Sequence, residues 1–290
     1  MNSIFTSTTY QSILFVALIV VLFILEQFFS LRKNKQSLIS RLIVNVSISI
    51  LSLAIVLYAV FPAQQKALTW TSKTSFGFLH LFELPLIIES VIAFLLMDLA
   101  FYYWHRLNHI IPFLWRFHNV HHFDPDLDVT TAFRFHFIEI GFSTLFRIIQ
   151  ISLIGISPLV FFIYETAFTA NTIFQHSNIK LPIKLERILN KIIVTPRMHG
   201  IHHSNYKEET NSNYSTVFSF WDRFHKTIKL NIPQSEIIIG VPGYSNQDDN
   251  SIISALTSPF KKQKNYWEID DKSFIKRKHH NTANNSLLLE

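Results

Sequence analysis

Histidine is the residue whose spacing stands out in this chain. "HNVHH" at 118–122 and "HGIHH" at 199–203 share the pattern His-x-x-His-His, and "HRLNH" at 105–109 adds a pair four residues apart. On a helix, positions i, i+3 and i+4 lie on one side, so each group can turn its imidazoles toward a common point. Neutral imidazole suits iron, zinc, copper and nickel, and with no cysteine in the chain no thiolate shifts that choice. A lone histidine is more often a packed or solvated polar group than a ligand. Two copies of one three-histidine motif, with a further pair, fit that explanation poorly. His105, His109, His118, His121, His122, His199, His202 and His203 are too many for one ion and enough for two ions with four nitrogens each.

Other polar residues stand close to these groups. His136 in "FRFHFIE" and His176 in "FQHSN" are candidates to complete a coordination sphere. His80, His279 and His280 are expected to have no role, and His225 in "WDRFHKT" is read as structural. Asp98 lies inside an apolar stretch, where a carboxylate costs about 2.5–3.5 kcal/mol at mid-membrane. With Tyr102, His105 and His109 it forms one helical stripe, so it is expected to orient a ligating ring through that ring's free N–H. Asp124 and Glu139 are weaker candidates for the same task. Arg134 and Arg197 are each expected to hold a carboxylate or a lipid headgroup.

The elements that must position these residues are membrane-like. The chain is 49% hydrophobic, and residues 12–31, 42–61 and 84–104 each reach the roughly 20 apolar residues a span needs. The first lacks a preceding basic residue and a following cleavage site, so it reads as a retained anchor, not a signal peptide. Arg32, Lys33, Lys35 and Arg41 follow the first span, against only Lys66 and Lys73 after the second. The positive-inside rule then places the first loop, and the histidine region after the third span, in the cytoplasm.

Residues 1–104 thus form an anchor, 105–230 a metal-binding domain, and 231–290 a polar, partly disordered extension with short β-like runs such as "EIIIGV". The metal-binding part includes a second apolar block, 137–174, interrupted at Gly155-Ile-Ser-Pro158. Two half-length helices or a re-entrant hairpin fit that block better than two full spans, and an even split allows an ordinary helical hairpin. The fold class expected is all-α: an integral membrane helical protein with a cytoplasmic, helical, histidine-rich di-metal domain. Neither a GxGxxG nor a P-loop pattern occurs, and the net charge of +6 forms no aromatic-interleaved stripe, so no nucleotide or nucleic-acid partner is expected.

"DLAFYYWHRLNH", "WRFHNVHHFDPDLDVTTAFRFH", "FQHSNIKLP", "TPRMHGIHHS" and "NYSTVFSFWDRFHKT" resemble, in this order, the fatty acid hydroxylase/sterol desaturase superfamily, over residues 89–227. The resemblance implies a membrane-bound di-iron oxidoreductase that uses dioxygen and electrons from an external donor protein to hydroxylate or desaturate a lipid. It implies metal ligation by the eight motif histidines, with His136 and His176 as additions; zinc, which binds imidazole more tightly than ferrous iron, is expected as a substitute in purified protein. The sequence departs from the pattern at Phe137, where proline is frequent, and at His225 and Lys226, where Phe-Gly is frequent. Asn171 and Thr172 stand where some relatives carry another histidine. A zinc-dependent hydrolase would need the glutamate of HExxH, which is absent here. A metal carrier or sensor would place ligands near mid-membrane on several spans, whereas these cluster beyond the third.

Overall fold

Long apolar runs punctuated by proline, serine and glycine give an all-helical chain, described for residues 2–268 by a computed structural model. Helix α1 (Asn2–Phe28) is followed by α2 (Leu38–Ile55), whose N-terminus is capped by the Ser37 side chain accepting from Ser40 N. A π turn at Val56–Val60 carries α2 into α3 (Phe61–Thr74). Pro62 then falls in the first turn of α3, where its missing N–H is tolerated, so the helical path outlasts the apolar run 42–61. Helix α4 (Leu86–Ile110) hands over to α5 (Pro112–His122) across a break that Pro112 enforces.

The second apolar block becomes two helices, α6 (Phe137–Ile154) and α7 (Pro158–His176), of 18 and 19 residues. Gly155 ends α6 at φ +75°, and Ser157 caps α7 by accepting from Val160 N, so little length is lost at the turn. Gly155 packs directly on Gly77, leaving no room for a side chain at either position. That contact seats the α3–α4 connector against the α6–α7 turn. Short helices follow: α8 (Ile183–Leu189), α9 (Pro196–His202), α10 (Lys207–Thr210), α11 (Phe220–Phe224) and α12 (Ile252–Thr257).

Among the described residues, four helical stretches are long and apolar enough to cross a membrane: Tyr10–Phe28, Leu38–Leu81, Leu86–Ile110 and Phe137–Ile154. Their side chains Ile13, Val20, Ile50 and Ile87 face outward. A membrane helix is expected to face lipid in this way, whereas a soluble one buries its apolar stripe. Between α3, α4, α6 and α7, the side chains of Leu68, Met97, Ile151, Val160 and Tyr164 form the largest buried apolar cluster.

No strand occurs among the described residues. The β-like run near 236–241 has no neighbouring strand to pair with, and forms only an isolated bridge between Ile239 and Ser204. Gly240 N donates to His203 O and Asn205 N to Ile238 O, docking this segment on the end of α9. Trp267 then folds back to stack on Trp115. His279, His280 and the other residues after 268 lie outside the described residues.

Candidate metal centre

Four helix ends converge: α4, α5, α7 and α9 all finish in histidine-bearing turns. Their imidazoles sort into two groups. His105, His109, His118, His122 and His202 each offer one ring nitrogen within 4.8 Å of the others, as do His121, His176, His199 and His203. The sorting cuts across the motifs. In 118–122 the i, i+4 pair His118 and His122 serves the first group and His121 the second. In 199–203 the i, i+4 pair His199 and His203 serves the second group and His202 the first. Adjacent helical positions diverge by about 100°, so each His-x-x-His-His turn faces two centres at once.

The donor set fits metal ions. His176 Nε2 lies 3.1 Å from His121 Nε2 and 2.9 Å from His199 Nε2, and His199 Nε2 lies 3.1 Å from His203 Nε2. In the other group His122 Nε2 is 3.2 Å from His118 Nε2. Neighbouring ligands at about 2.1 Å from one ion lie about 3.0–3.4 Å apart, from octahedral to tetrahedral geometry, close to these spacings. Both ring nitrogens of His109, Nε2 of His202, and Nδ1 of His121, His199 and His203 are buried with no hydrogen-bond partner. Burial pushes the His121, His122, His199 and His203 imidazoles well below their usual range, and their neighbouring imidazoles add to the effect. His202 is pushed down to about 3, chiefly by burial, against the opposing pull of the Ser212 carbonyl. The rings are therefore neutral, the form that binds a cation.

A second layer aims several rings. The Glu139 carboxylate, at the start of α6, sits 2.6 Å from His118 Nδ1. Backbone carbonyls of Tyr214, Ser212 and Thr172 each lie 2.7 Å from Nδ1 of His105, His202 and His176. In all four cases Nε2 is left to face the group. Phe135 stacks on His121 with centroids 4.4 Å apart, and Trp115 packs against His109 and His122. Water is thereby largely kept from the centre.

The remaining sequence candidates lie elsewhere. His136 belongs to neither group: its Nδ1 caps α6 by accepting from Ile138 N, and its Nε2 approaches Leu256 O at 3.3 Å. Asn171 donates to the carbonyls of Val194 and Thr216. Asp98 touches no histidine; it accepts from Val217 N, Phe218 N and Trp221 Nε1. It thus bears on the site only through the segment that carries Tyr214. Asp124 pairs with Arg41 and Arg134, and Arg197 with Glu186 at 3.0 Å. His225 contacts Tyr103 and Trp221 O outside both groups.

Sequence reasoning missed the carbonyls of Tyr214, Ser212 and Thr172, because a backbone acceptor leaves no trace in residue type. It also missed Arg32, which donates to Gln234 and presses on Gly200 so closely that a side chain there would collide with its guanidinium. The glycine inside "HGIHH" was the available signal.

Apolar outward-facing helices and two buried polyhistidine groups define a helical membrane-type protein with a site able to hold metal ions. Residues 90–227 match the fatty acid hydroxylase family. An ornithine lipid hydroxylase of Rhizobium tropici is 31% identical over 183 residues, covering 62% of this chain and 52% of that protein. Human alkylglycerol monooxygenase is 30% identical over 145 residues, 47% of this chain and 30% of that protein. Human cholesterol 25-hydroxylase is 26% identical over 157 residues, 51% of this chain and 54% of that protein. The chain thus spans about half or less of the length of these relatives. No solved structure matches it.

Proposed function

We propose that this chain is a membrane lipid hydroxylase in which each histidine group holds one metal ion, iron in the working enzyme. The observation that carries this reading is the convergence of nine buried imidazoles into two adjacent groups with unpartnered nitrogens. His105, His109, His118, His122 and His202 would hold one ion, and His121, His176, His199 and His203 the other. Bound iron would supply activation of dioxygen with electrons from an external donor protein. The relatives' names, a hydroxylase of ornithine lipid, a monooxygenase of alkylglycerols and a hydroxylase of cholesterol, support a lipid substrate and insertion of oxygen over desaturation.

The chain's own residues do the positioning. Glu139 and the carbonyls of Tyr214, Ser212 and Thr172 hold Nδ1 of four rings, fixing which nitrogen faces each ion. Phe135 and Trp115 exclude water from the reacting space. In this reading residues 1–104 serve as the anchor, 105–230 carry the metals, and 231–290 form a polar extension, with the site on the cytoplasmic side. Arg32 and Arg41, two of the four basic residues behind that orientation, are buried in protein contacts, so Lys33 and Lys35 carry more of the argument.

The test combines elemental analysis, oxygen uptake and lipid mass spectrometry. Protein purified without chelators should hold two metal ions per chain. Loaded with iron and given a reductant and membrane lipid, it should consume oxygen and leave a lipid heavier by one oxygen atom. Retention of zinc alone with hydrolytic activity would favour a hydrolase. Reversible metal exchange without oxygen uptake would favour a carrier or sensor. Either outcome overturns the oxygenase reading.

A further inference from the structure

The middle of α4 makes a contact for which a lipid-surrounded helix has no ordinary use. Asp98 lies about 10 Å before His105 along the axis, at about 1.5 Å per residue, within the apolar stretch Leu86–Ile110. Its carboxylate accepts from Val217 N at 3.4 Å, Phe218 N at 3.1 Å and Trp221 Nε1 at 2.8 Å. The Phe218 ring packs on Phe94, one turn further from the histidines, with centroids 5.6 Å apart. Non-helical backbone therefore runs beside α4 at a depth set by the membrane-length helix.

Irregular backbone is tolerated at that depth only where protein satisfies its polar groups, and here it does. Asp98 takes two of the amides. Ser219 N donates to Ile192 O, Ser219 Oγ to Asn190 O, and Val194 N to Val217 O. An isolated bridge joins Ile193 to Phe218, and Asn171 of α7 holds Val194 O and Thr216 O from behind. Residues 190–194 are thereby tied to the same level as 216–221.

The outer surface of this lobe is apolar. Leu185, Ile188, Ile192 and Phe224 are exposed by 44%, 60%, 58% and 78%. Exposed Lys184 and Lys191 alternate with them along α8 and its end, while Glu186 on the opposite face is buried against Arg197. Apolar side chains set among lysines are the composition of a surface that rests in an anionic membrane interface.

We infer that residues 183–193 and 217–226 form a lobe seated in the bilayer leaflet beside the histidine centre. Leu185, Ile188, Ile192 and Phe224 lie among acyl chains, and Lys184, Lys191, Arg223 and Lys226 lie among headgroups. The inference rests on reading α1 and α4 as membrane spans, and not on the metals or the reaction.

The absence of cysteine makes the test direct, because a single introduced cysteine carries the only label. Ile192→Cys and Phe224→Cys would each be tagged with an environment-sensitive fluorophore. Leu14→Cys, on the outward face of α1, and Lys207→Cys, exposed on α10, serve as lipid and water references. All four are reconstituted in mixed phosphatidylcholine and phosphatidylglycerol vesicles. The expected result is quenching at 192 and 224 by lipids bearing a nitroxide high on the acyl chain, as at 14, with loss of the iodide quenching seen at 207. Iodide quenching at 192 and 224 equal to that at 207 overturns the lobe while leaving the spans intact. Shielding from both quenchers means that protein, such as a second copy of this chain, covers the face, and overturns it as well. A label at 14 that behaves like 207 removes the spanning reading, and the lobe falls with it.

Discussion

Two buried polar clusters flank the end of α5, and they are built on opposite principles. In one, Arg41 reaches Asp124, Asp126 and Asp128, while Arg134 lies 3.8 Å from Asp124 and donates to Asn45. Each carboxylate there meets donors: Asn45 and Thr131 bond to Asp124, the amides of Lys35 and Gln36 to Asp126, and Thr130 to Asp128. Burial alone would push the Asp124 carboxyl up, yet the two guanidinium groups hold it below the usual carboxylate range. In the other cluster, ring nitrogens face ring nitrogens and several have no partner at all. The first cluster sets guanidinium against carboxylate and fixes a loop, with Arg41 Nε and Arg134 Nη2 alone among its charged atoms lacking a hydrogen bond. The second sets imidazole against imidazole and could hold cations, and that difference separates a structural network from a candidate site.

The comparison breaks most visibly at Arg41. Arg41→Ala leaves three buried aspartates without their shared partner, and losing one side of a buried ion pair costs about 3–5 kcal/mol. The expected outcome is loss of folded, membrane-inserted protein, measured by yield and thermal unfolding in detergent. A well-folded Arg41→Ala protein would show that the loop 123–133 does not depend on this network.

His203→Ala should do the reverse, sparing the fold and removing function. The cavity it leaves lies among groups that already lack partners, so thermal stability of the metal-free protein should hold or rise. Metal content should fall from two ions per chain toward one and activity should be lost. Full metal content in this variant would show that the four-histidine group is not a metal site.

Glu139→Gln sharpens the contrast, because Glu139 is a carboxylate that serves the histidine cluster. The substitution keeps the shape but weakens the hold on His118 Nδ1. Loss of such a partner lowers metal affinity by about 10–100-fold, measurable by competition with a chelator. Unchanged affinity would assign Glu139 to packing alone.

Asp98→Asn should have a smaller effect. The carboxylate accepts from three donors and the amide offers one oxygen, so at least one buried donor loses its partner, at about 1–3 kcal/mol. Thermal unfolding should register that loss, with metal affinity changed little because Asp98 reaches no imidazole. A large drop in metal affinity at unchanged stability would restore the ring-orienting role its helical stripe suggested.

Much of this was legible in the sequence, for identifiable reasons. Side-chain type and helical spacing pointed to histidine as the ligand type, and Gly155 with Pro158 marked the α6–α7 break. The assignment of each imidazole to a group was not legible. It depends on how α4, α5, α7 and α9 are rotated about their axes, which short-range spacing cannot encode. His136 and His176 looked equivalent, each at one end of the same apolar block. Only the three-dimensional path shows one to be a helix cap and the other a neighbour of His121 and His199. Asp98 misled for a related reason: its stripe with His105 is real, but a distant segment, 217–221, takes up the carboxylate first.

The smallest effect concerns Lys226, where the family pattern favours glycine. Lys226 follows α11 and adopts φ +58°, with its N–H donating to Arg223 O and Thr227 N donating to Asp222 O. Helices commonly end on such a left-handed residue, and glycine is favoured there because it has no Cβ to crowd the carbonyl. A side chain in this conformation costs about 1–2 kcal/mol, whereas glycine gives back about 0.5–1 kcal/mol through the greater freedom of its unfolded chain. Lys226→Gly should therefore raise stability by no more than about 1.5 kcal/mol, seen as a small upward shift of the unfolding midpoint in detergent. The same variant removes one positive charge from the lobe. If stability in detergent rises while stability in anionic vesicles falls, the lysine is retained for its contact with headgroups. If both rise together, its charge has no work to do, and the departure from glycine is a tolerated strain.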